Sequence, residues 1–331
     1  MLTTFNLLGT ALTGAGGRNS KVAFSEGMKM VPSAGRKLFK PQYVSSKLTE
    51  SDSVTYDPVA AETLDGADYA SSDPVKGYNL ILTQTMFTQS FEATKAVGMY
   101  AQSNGEQYDV IKILGGIQGL GSACAKRLEQ DLQLLIGMGT GDKYVNRDGN
   151  TVSTLSADGA NIFSNSHTTR SGTGYDNLDS TAFGQIGIET HEDLWRNFVN
   201  HDGQLVDQMP NAIFSTTKSQ LCNLIEEYLN SNGHVEDDNH GVNTYGYKGA
   251  RYEHIKMEYL DCTNVLARDS TKDDYWGLVV KNADEHELKI SQDPIVYPPQ
   301  LVQRNRNVLI QTDCHYSYGI RDAFKISLSN A

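Results

Sequence analysis

The chain of 331 residues is poor in the features that mark most functional classes. It has four cysteines, Cys124, Cys222, Cys262 and Cys314, and they are widely scattered. They make no CxxC pair and no metal-ligand spacing, which points away from a zinc site or a disulfide framework and toward a reducing compartment. No apolar run approaches the ~20 residues of a membrane span. The first stretch, MLTTFNLLGTALTGAGG, is weakly apolar and its start lacks the basic residues of a signal peptide. A basic surplus is also missing. Lys and Arg number 28 against 40 Asp and Glu, a formal net charge of -12. A dedicated nucleic-acid binder would show the opposite balance.

Catalytic signatures are scarce too. His191-Glu192 is followed by Asp193, Leu194 and Trp195, so the second histidine of a zinc-binding HExxH is missing. The glycine cluster Gly115–Ser122 has no lysine to neutralise a nucleotide phosphate. Gly137, Gly139 and Gly141 follow a helical pattern, whereas a dinucleotide site needs them after a strand. No GxSxG elbow is present. One constellation is left: His167 in a polar loop beside Ser164 and Ser166, with Asp158 as an acid. It defines a hydrolase alternative, set against the default of a surface loop histidine. No cofactor and no metal are expected.

What the chain does have is a long helical stretch, Gln107–Met138. Val110, Leu114, Ile117, Leu120, Cys124, Leu128, Leu132 and Leu135 recur at steps of three and four, forming one stripe. Lys126, Arg127, Glu129, Gln130, Asp131 and Gln133 read as the solvated face. Ser103 and Glu106 have capping-box spacing, and Gly137 and Gly139 are stops. At 1.5 Å per residue, ~30 residues make a rod of roughly 45 Å. Gly115, Gly116, Gly119 and Gly121 interrupt its first half. They allow either a close neighbouring layer, a bend, or a break into two helices.

Charge is segregated. Arg18, Lys21, Lys29, Arg36, Lys37, Lys40 and Lys47 face a single acid, Glu26. Then come Glu50, Asp52, Asp57, Glu62, Asp65, Asp68 and Asp73, with no basic residue until Lys76. Residues 1–35, rich in Gly, Ser and Thr, read as an extended arm with little core. Lys37–Ser46 and Tyr78–Phe91 read as strands flanking a long acidic loop, that is, a projecting hairpin. Glu92–Gln102 and Thr190–Asn200 read as helices, the latter capped by Thr190. Asn211–Ser215 reads as a strand and Thr216–Asn230 as a helix. Strands at His254–Tyr259, Tyr275–Lys281 and from Leu288 to Leu328 complete the chain. Separated strands, few helices and long loops predict α+β.

Several stretches, in this order, resemble the major capsid proteins of tailed phages, especially the Mu-like group. FTQSFEATKAVG (Phe87–Gly98) precedes the long helix as in that family. DGANIFSNSH (Asp158–His167) is similar to its D-G-x-x-L-F-S-x-x-H block. HDGQLVDQMPNAIFSTTKSQLCNLIEEYL (His201–Leu229) resembles its turn, strand and helix segment. YWGLVVKN (Tyr275–Asn282) and SYGIRDAF (Ser317–Phe324) resemble its Trp-containing and closing strands.

The resemblance implies a Hong Kong 97-type capsid fold. Residues 1–35 would be the N-terminal arm and 36–92 the extended loop. Residues 93–184 would form the peripheral domain with its spine helix at 106–137, 185–287 the axial domain, and 288–331 the returning peripheral strands. The implied function is a virion head subunit, assembled in the host cytoplasm as hexamers and pentamers into an icosahedral shell around double-stranded DNA. Scaffolding and portal proteins would be partners, with a decoration protein as a further one. Scaffolding would come from a separate protein or a segment already removed. DNA contact would be weak and non-specific, and no membrane is involved. Expected contacts between copies are Arg36, Lys37, Lys40, Lys47, Glu50, Asp52, Asp57, Glu62, Asp65 and Lys76. Nothing identifies covalent crosslinking partners for Lys47 or Lys76. An encapsulin-like nanocompartment shell shares the fold and is the alternative; a tail-tube protein is disfavoured by the long helix.

Overall fold

The computed structural model describes residues 18–55, 75–94, 107–206, 208–231, 245, 251–263, 267–298, 300–301 and 307–331. Helices are α1 (Arg18–Lys29), α2 (Gln107–Gly137), α3 (Gln185–Arg196) and α4 (Ser219–Asn230). Strands begin with β1 (Phe39–Tyr43), β2 (Leu48–Thr55), β3 (Val75–Thr83) and β4 (Thr85–Ala93). Short pairs follow: β5 (Lys143–Val145), β6 (Thr151–Ser153), β7 (His167–Thr168), β8 (Gly174–Tyr175) and β9 (Leu178–Asp179). The remainder are β10 (Ala212–Thr216), β11 (Glu253–Met257), β12 (Trp276–Val279), β13 (Ala283–Val296), β14 (Gln300–Leu301), β15 (Val308–Ile320) and β16 (Ile326–Ser329). The class is α+β, as the sequence implies.

β15 is the hub of the first sheet. It pairs antiparallel with β13 along one edge and with β4 along the other, while β1 runs parallel beside β13. Its alternation explains this. Val308, Ile310, Thr312, Cys314 and Tyr316 point one way and are all buried, the period-2 pattern of a strand with one packed face. The second sheet, ordered β11-β10-β12-β16-β9, is covered on both sides. In β10, Ala212 and Phe214 join the core under α2, while Ile213 joins a second core with α3 and α4.

Helix α2 runs unbroken through all four glycines. Its apolar stripe is buried at Ile117, Leu120, Cys124, Leu132 and Leu135, and Leu114 and Leu128 pack against the same core. The side chain of Val110, the Ser103–Glu106 capping box and the Glu92–Gln102 helix beyond residue 94 lie outside the described residues. Two of the glycines, Gly116 and Gly121, serve close approach, and Gly115 and Gly119 face open space. A Cβ on Gly121 would sit 2.1 Å from the Phe24 carbonyl oxygen of α1, whereas one on Gly119 would meet nothing.

Four expectations are corrected. First, α2 has no solvated face from Glu129 onward: Glu129, Gln130, Asp131 and Gln133 are buried, and only Lys126 of the expected face is exposed. Their partners come from elsewhere in the chain. Glu129 accepts the Gly35 N–H and the Arg36 Nε–H, each at 2.7 Å. Gln133 Oε1 accepts the Tyr259 N–H at 2.9 Å. Asp131 accepts from Arg127 at 3.0 Å and from the Tyr316 hydroxyl at 2.9 Å. Such pairing is what permits burial, since an unpaired buried carboxylate is strongly disfavoured. Second, residues 18–35 are not an extended arm. Ala23, Phe24 and Val31 are buried and α1 packs on α2 through Gly27 and Gly121. Third, the hairpin legs are Leu48–Thr55 and Val75–Thr83, not Lys37–Ser46 and Tyr78–Phe91. Phe39–Tyr43 and Thr85–Ala93 belong to the main sheet, and the break falls at Gln84, whose amide donates to Ser317 Oγ at 2.9 Å. Fourth, α3 starts at Gln185, not Thr190. Ile188, His191, Glu192 and Trp195 form its buried stripe at helical spacing, and Thr190 bonds back to the Ile186 carbonyl at 2.8 Å.

Three histidines, His191, His254 and His286, are held down to about 4 by burial. His286 shows why: Nδ1 donates to the Leu38 carbonyl at 3.1 Å, and Nε2 is buried with no hydrogen-bond partner among the described residues.

Gly121→Ala is expected to destabilise the chain by roughly 1–3 kcal/mol through overpacking against α1. Gly119→Ala should stabilise it by about 0.5–1 kcal/mol; urea unfolding of both variants gives the two signs. Acidification supplies a second check. Unfolded histidines protonate near pH ~6.5, before the buried ones at about 4. The unfolded state then binds more protons, so stability is full above ~6.5 and falls as pH drops toward ~4. A urea midpoint that does not move between these values would contradict this.

Candidate functional site

The hairpin carries large apolar side chains that the single chain leaves exposed. β2 and β3 pair antiparallel from Leu48 opposite Thr83 to Thr55 opposite Val75, with a bulge between Asp52 and Val54. Leu48, Val54 and Ile81 are about half exposed or more, at 53%, 49% and 55%. On the inner face Leu80 and Leu82 close over Gly319, where a Cβ would lie 3.0–3.2 Å from their methyl groups.

A charged network roots this hairpin in the sheet. Glu287 on β13 is fully buried. It pairs with Arg321 at 2.9 Å and with Lys289 at 3.1 Å, and it accepts the Ser51 hydroxyl of β2. Arg321 also donates to Ser51 Oγ at 3.0 Å and to Asp322 at 3.0 Å. Asp322 holds His201 at 2.8 Å. The His201 ring meets Tyr78 of β3 edge-on at 5.2 Å, and Arg170 lies over the other part of that stack, 4.5 Å from the Tyr78 ring centre. Two acids and two bases thus balance beneath the hairpin, and the network reaches one residue on each leg, Ser51 and Tyr78.

The residues expected to contact other copies divide into three groups. Arg36 pairs with Glu129 at 2.7 Å, Lys37 with Glu253 at 2.7 Å, Lys40 with Asp284, and Lys76 with Asp52 at 2.9 Å. All are pairs within the chain. Hydrogen bonds from Lys281 and Lys37 bring the Glu253 carboxyl down to about 2. Lys47 and Glu50 are exposed, with no side-chain partner among the described residues. Asp57, Glu62 and Asp65 lie outside the described residues.

The His167 constellation is assembled only in part. Asp158 does hold His167 Nδ1 at 2.8 Å, and burial of that carboxyl is outweighed by bonds from His167 and Ser156, which keep it below the usual range. The other nitrogen, Nε2, lies 3.2 Å from the Ile162 carbonyl, and the ring is fully buried and stacked on Tyr175. A hydrolase would need Nε2 turned to a serine, but Ser164 and Ser166 bond each other at 3.1 Å. The histidine is therefore an interior strut, not a surface loop residue. Beside it Asn177 donates to the Ile162, Ala323 and Ile326 carbonyls, at 2.8, 3.1 and 3.2 Å. Glu287, Arg321, Asp322 and Asn177 were not legible as site residues, because their partners are distant in sequence. No group of three or more His, Cys, Asp or Glu side chains among the described residues is arranged to hold a metal ion.

Replacing one member of the root network leaves a buried charge unmatched. Glu287→Gln and Arg321→Met are each expected to cost ~3–5 kcal/mol, and the double variant less than the sum. Limited proteolysis should cut residues 48–83 faster in the single variants; equal rates would show that the network does not hold the hairpin.

No family model matches the chain, and no curated protein matches it. Solved structures do. A capsid chain of the cyanophage P-SCSP1u aligns with a TM-score of 0.53 at 8% identity, covering 88% of this chain and 86% of that one. A capsid chain of a native GTA particle aligns with a TM-score of 0.51 at 9% identity, covering 90% of each. The chain therefore shares its overall fold with these two capsid chains.

Proposed function

We propose that the chain is the major capsid protein of a tailed bacteriophage. Copies assemble as hexamers and pentamers into an icosahedral shell around double-stranded DNA, and the role is structural, not enzymatic. The single observation that carries this reading is the hairpin. Its two strands hold Leu48, Val54 and Ile81 in solvent above a rigid charged root. Burying such surface on a second copy yields roughly 25 cal/mol per Å2, and obligate interfaces commonly exceed ~2,000 Å2. The fold shared with two capsid chains supports the same conclusion.

On this reading the Hong Kong 97-type division applies. The hairpin of β2 and β3, inside the expected 36–92, acts as the extended loop, α2 as the spine of the peripheral domain, and 185–287 as the axial domain. Lys47 and Glu50, exposed on the hairpin side, are the best of the expected contacts with a neighbouring copy. Scaffolding and portal proteins and the packaged DNA are the partners this role requires.

Negative-stain imaging of the purified protein should show capsomers or icosahedral particles. A persistently monomeric protein would overturn the capsid reading. Deleting residues 49–75 should leave a soluble chain that forms no shells; intact shells from that variant would overturn the hairpin's role alone.

A further inference from the structure

The four thiols of this chain are not equivalent. Cys222 donates to the Thr216 carbonyl at 3.2 Å, and Cys262 reaches the Glu258 carbonyl at 3.9 Å. Cys124 on α2 and Cys314 on β15 instead lie together in the seam between helix and sheet, where both line the same two cavities. Cys124 Sγ also lies 3.6 Å from Thr312 Oγ1, on the same face of β15 as Cys314. Both thiols are reduced and buried.

Two cavities converge on the pair. One, of 230 Å3, is lined by Leu128, Leu288, Ile290 and both cysteines. The other, of 560 Å3, runs between β4 and α2 and is lined by Met86, Lys126, Arg147 and again both cysteines. Met86, Lys126 and Arg147 are exposed, so this cleft leads from solvent to the sulfurs. Its charged lining is Lys126, Arg127 and Arg147 against one acid, Asp148, which pairs with Arg127, so the balance is positive.

We propose that Cys124 and Cys314 are a redox site: they close into a reversible intrachain disulfide by exchange with a small anionic disulfide entering through this cleft. The bond ties the long helix to the hub strand of the sheet.

The chemistry assigns the two sulfurs different parts. The hydrogen bond from Cys314 pulls the Cys124 thiol below its ordinary value against the effect of burial, and the same bond holds the Cys314 thiol up. Cys124 is therefore the attacking thiolate. It attacks one sulfur of the small disulfide, whose S–S bond breaks and releases one small thiolate. Cys314 then gives up its proton and attacks the Cys124 sulfur of the mixed disulfide, releasing the second small thiolate. Two protein thiols are oxidised and one small disulfide is reduced; the two protons finish on the two small thiols. The closed loop spans more than half of the chain, which favours a large restriction of the unfolded state.

The test uses the full chain and oxidised glutathione. Thiol titration in denaturant should fall from four to two and return to four with dithiothreitol. Non-reducing peptide mapping should join the Cys124 and Cys314 peptides. The melting temperature should rise by about 5–10 °C. Cys314→Ala should stop at one glutathione adduct on Cys124, and Cys124→Ala should keep all its remaining thiols free. Four persistent thiols, a bond that includes Cys222 or Cys262, or an unchanged melting temperature would each overturn the proposal. Peptide mapping of the unaltered chain decides the matter if either variant fails to fold. None of these readouts depends on shell formation.

Discussion

The structure depends on a row of buried polar side chains along the second half of the long helix. Glu129 bonds Gly35 and Arg36, Asp131 bonds Arg127 and Tyr316, and Gln133 bonds the Tyr259 backbone. These contacts fasten three segments that are remote in sequence. Desolvating a carboxylate is costly, and only well-placed donors offset it. Burial raises the Asp131 carboxyl, and Arg127 and Tyr316 counter it. The helix is thus a scaffold held by polar keys on one side and by apolar contacts on the other.

The same logic recurs under the hairpin. Glu287, Arg321, Asp322 and Lys289 sit between the sheet and the Ser51 and Tyr78 legs. A buried, balanced cluster has directional bonds, so it sets an angle as well as a position. An apolar contact alone allows sliding. On the proposed capsid reading, such a root would present the hairpin to a neighbouring copy in one orientation. The surface above it has apolar residues that the single chain leaves in water.

Much of the fold was legible along the chain. β15 matches the run Val308–Ile320, and β10, β11 and β12 fall within a residue or two of their sequence signals, because alternation and β-branched content are local properties. The helix Arg18–Lys29 was not legible: its buried face is short and lies among Gly and Ser. The hairpin was expected, yet its legs were misplaced, since β1 and β4 look like hairpin strands until the long strands that receive them are known. Among the expected contact residues, Arg36, Lys37 and Lys40 have intrachain partners 93 to 244 positions away. His167 has the sequence setting of a loop base, but in the fold its Nε2 faces the Ile162 carbonyl.

What the sequence by itself determined is the set of periodic elements: one long helix, an α+β composition, an acidic interruption between strands, and the lack of local catalytic motifs. These rest on near-neighbour patterns and on side-chain chemistry that needs no partner. What only the tertiary structure decided is the meaning of the polar residues. Whether a glutamate on a helix is solvated or buried depends on donors supplied from elsewhere. Glu129 and Asp131 look like a wet face in the sequence and are inner fastenings in the fold. The reason is that charge is stable either in water or beside a matched partner, and sequence spacing does not say which of the two surrounds it.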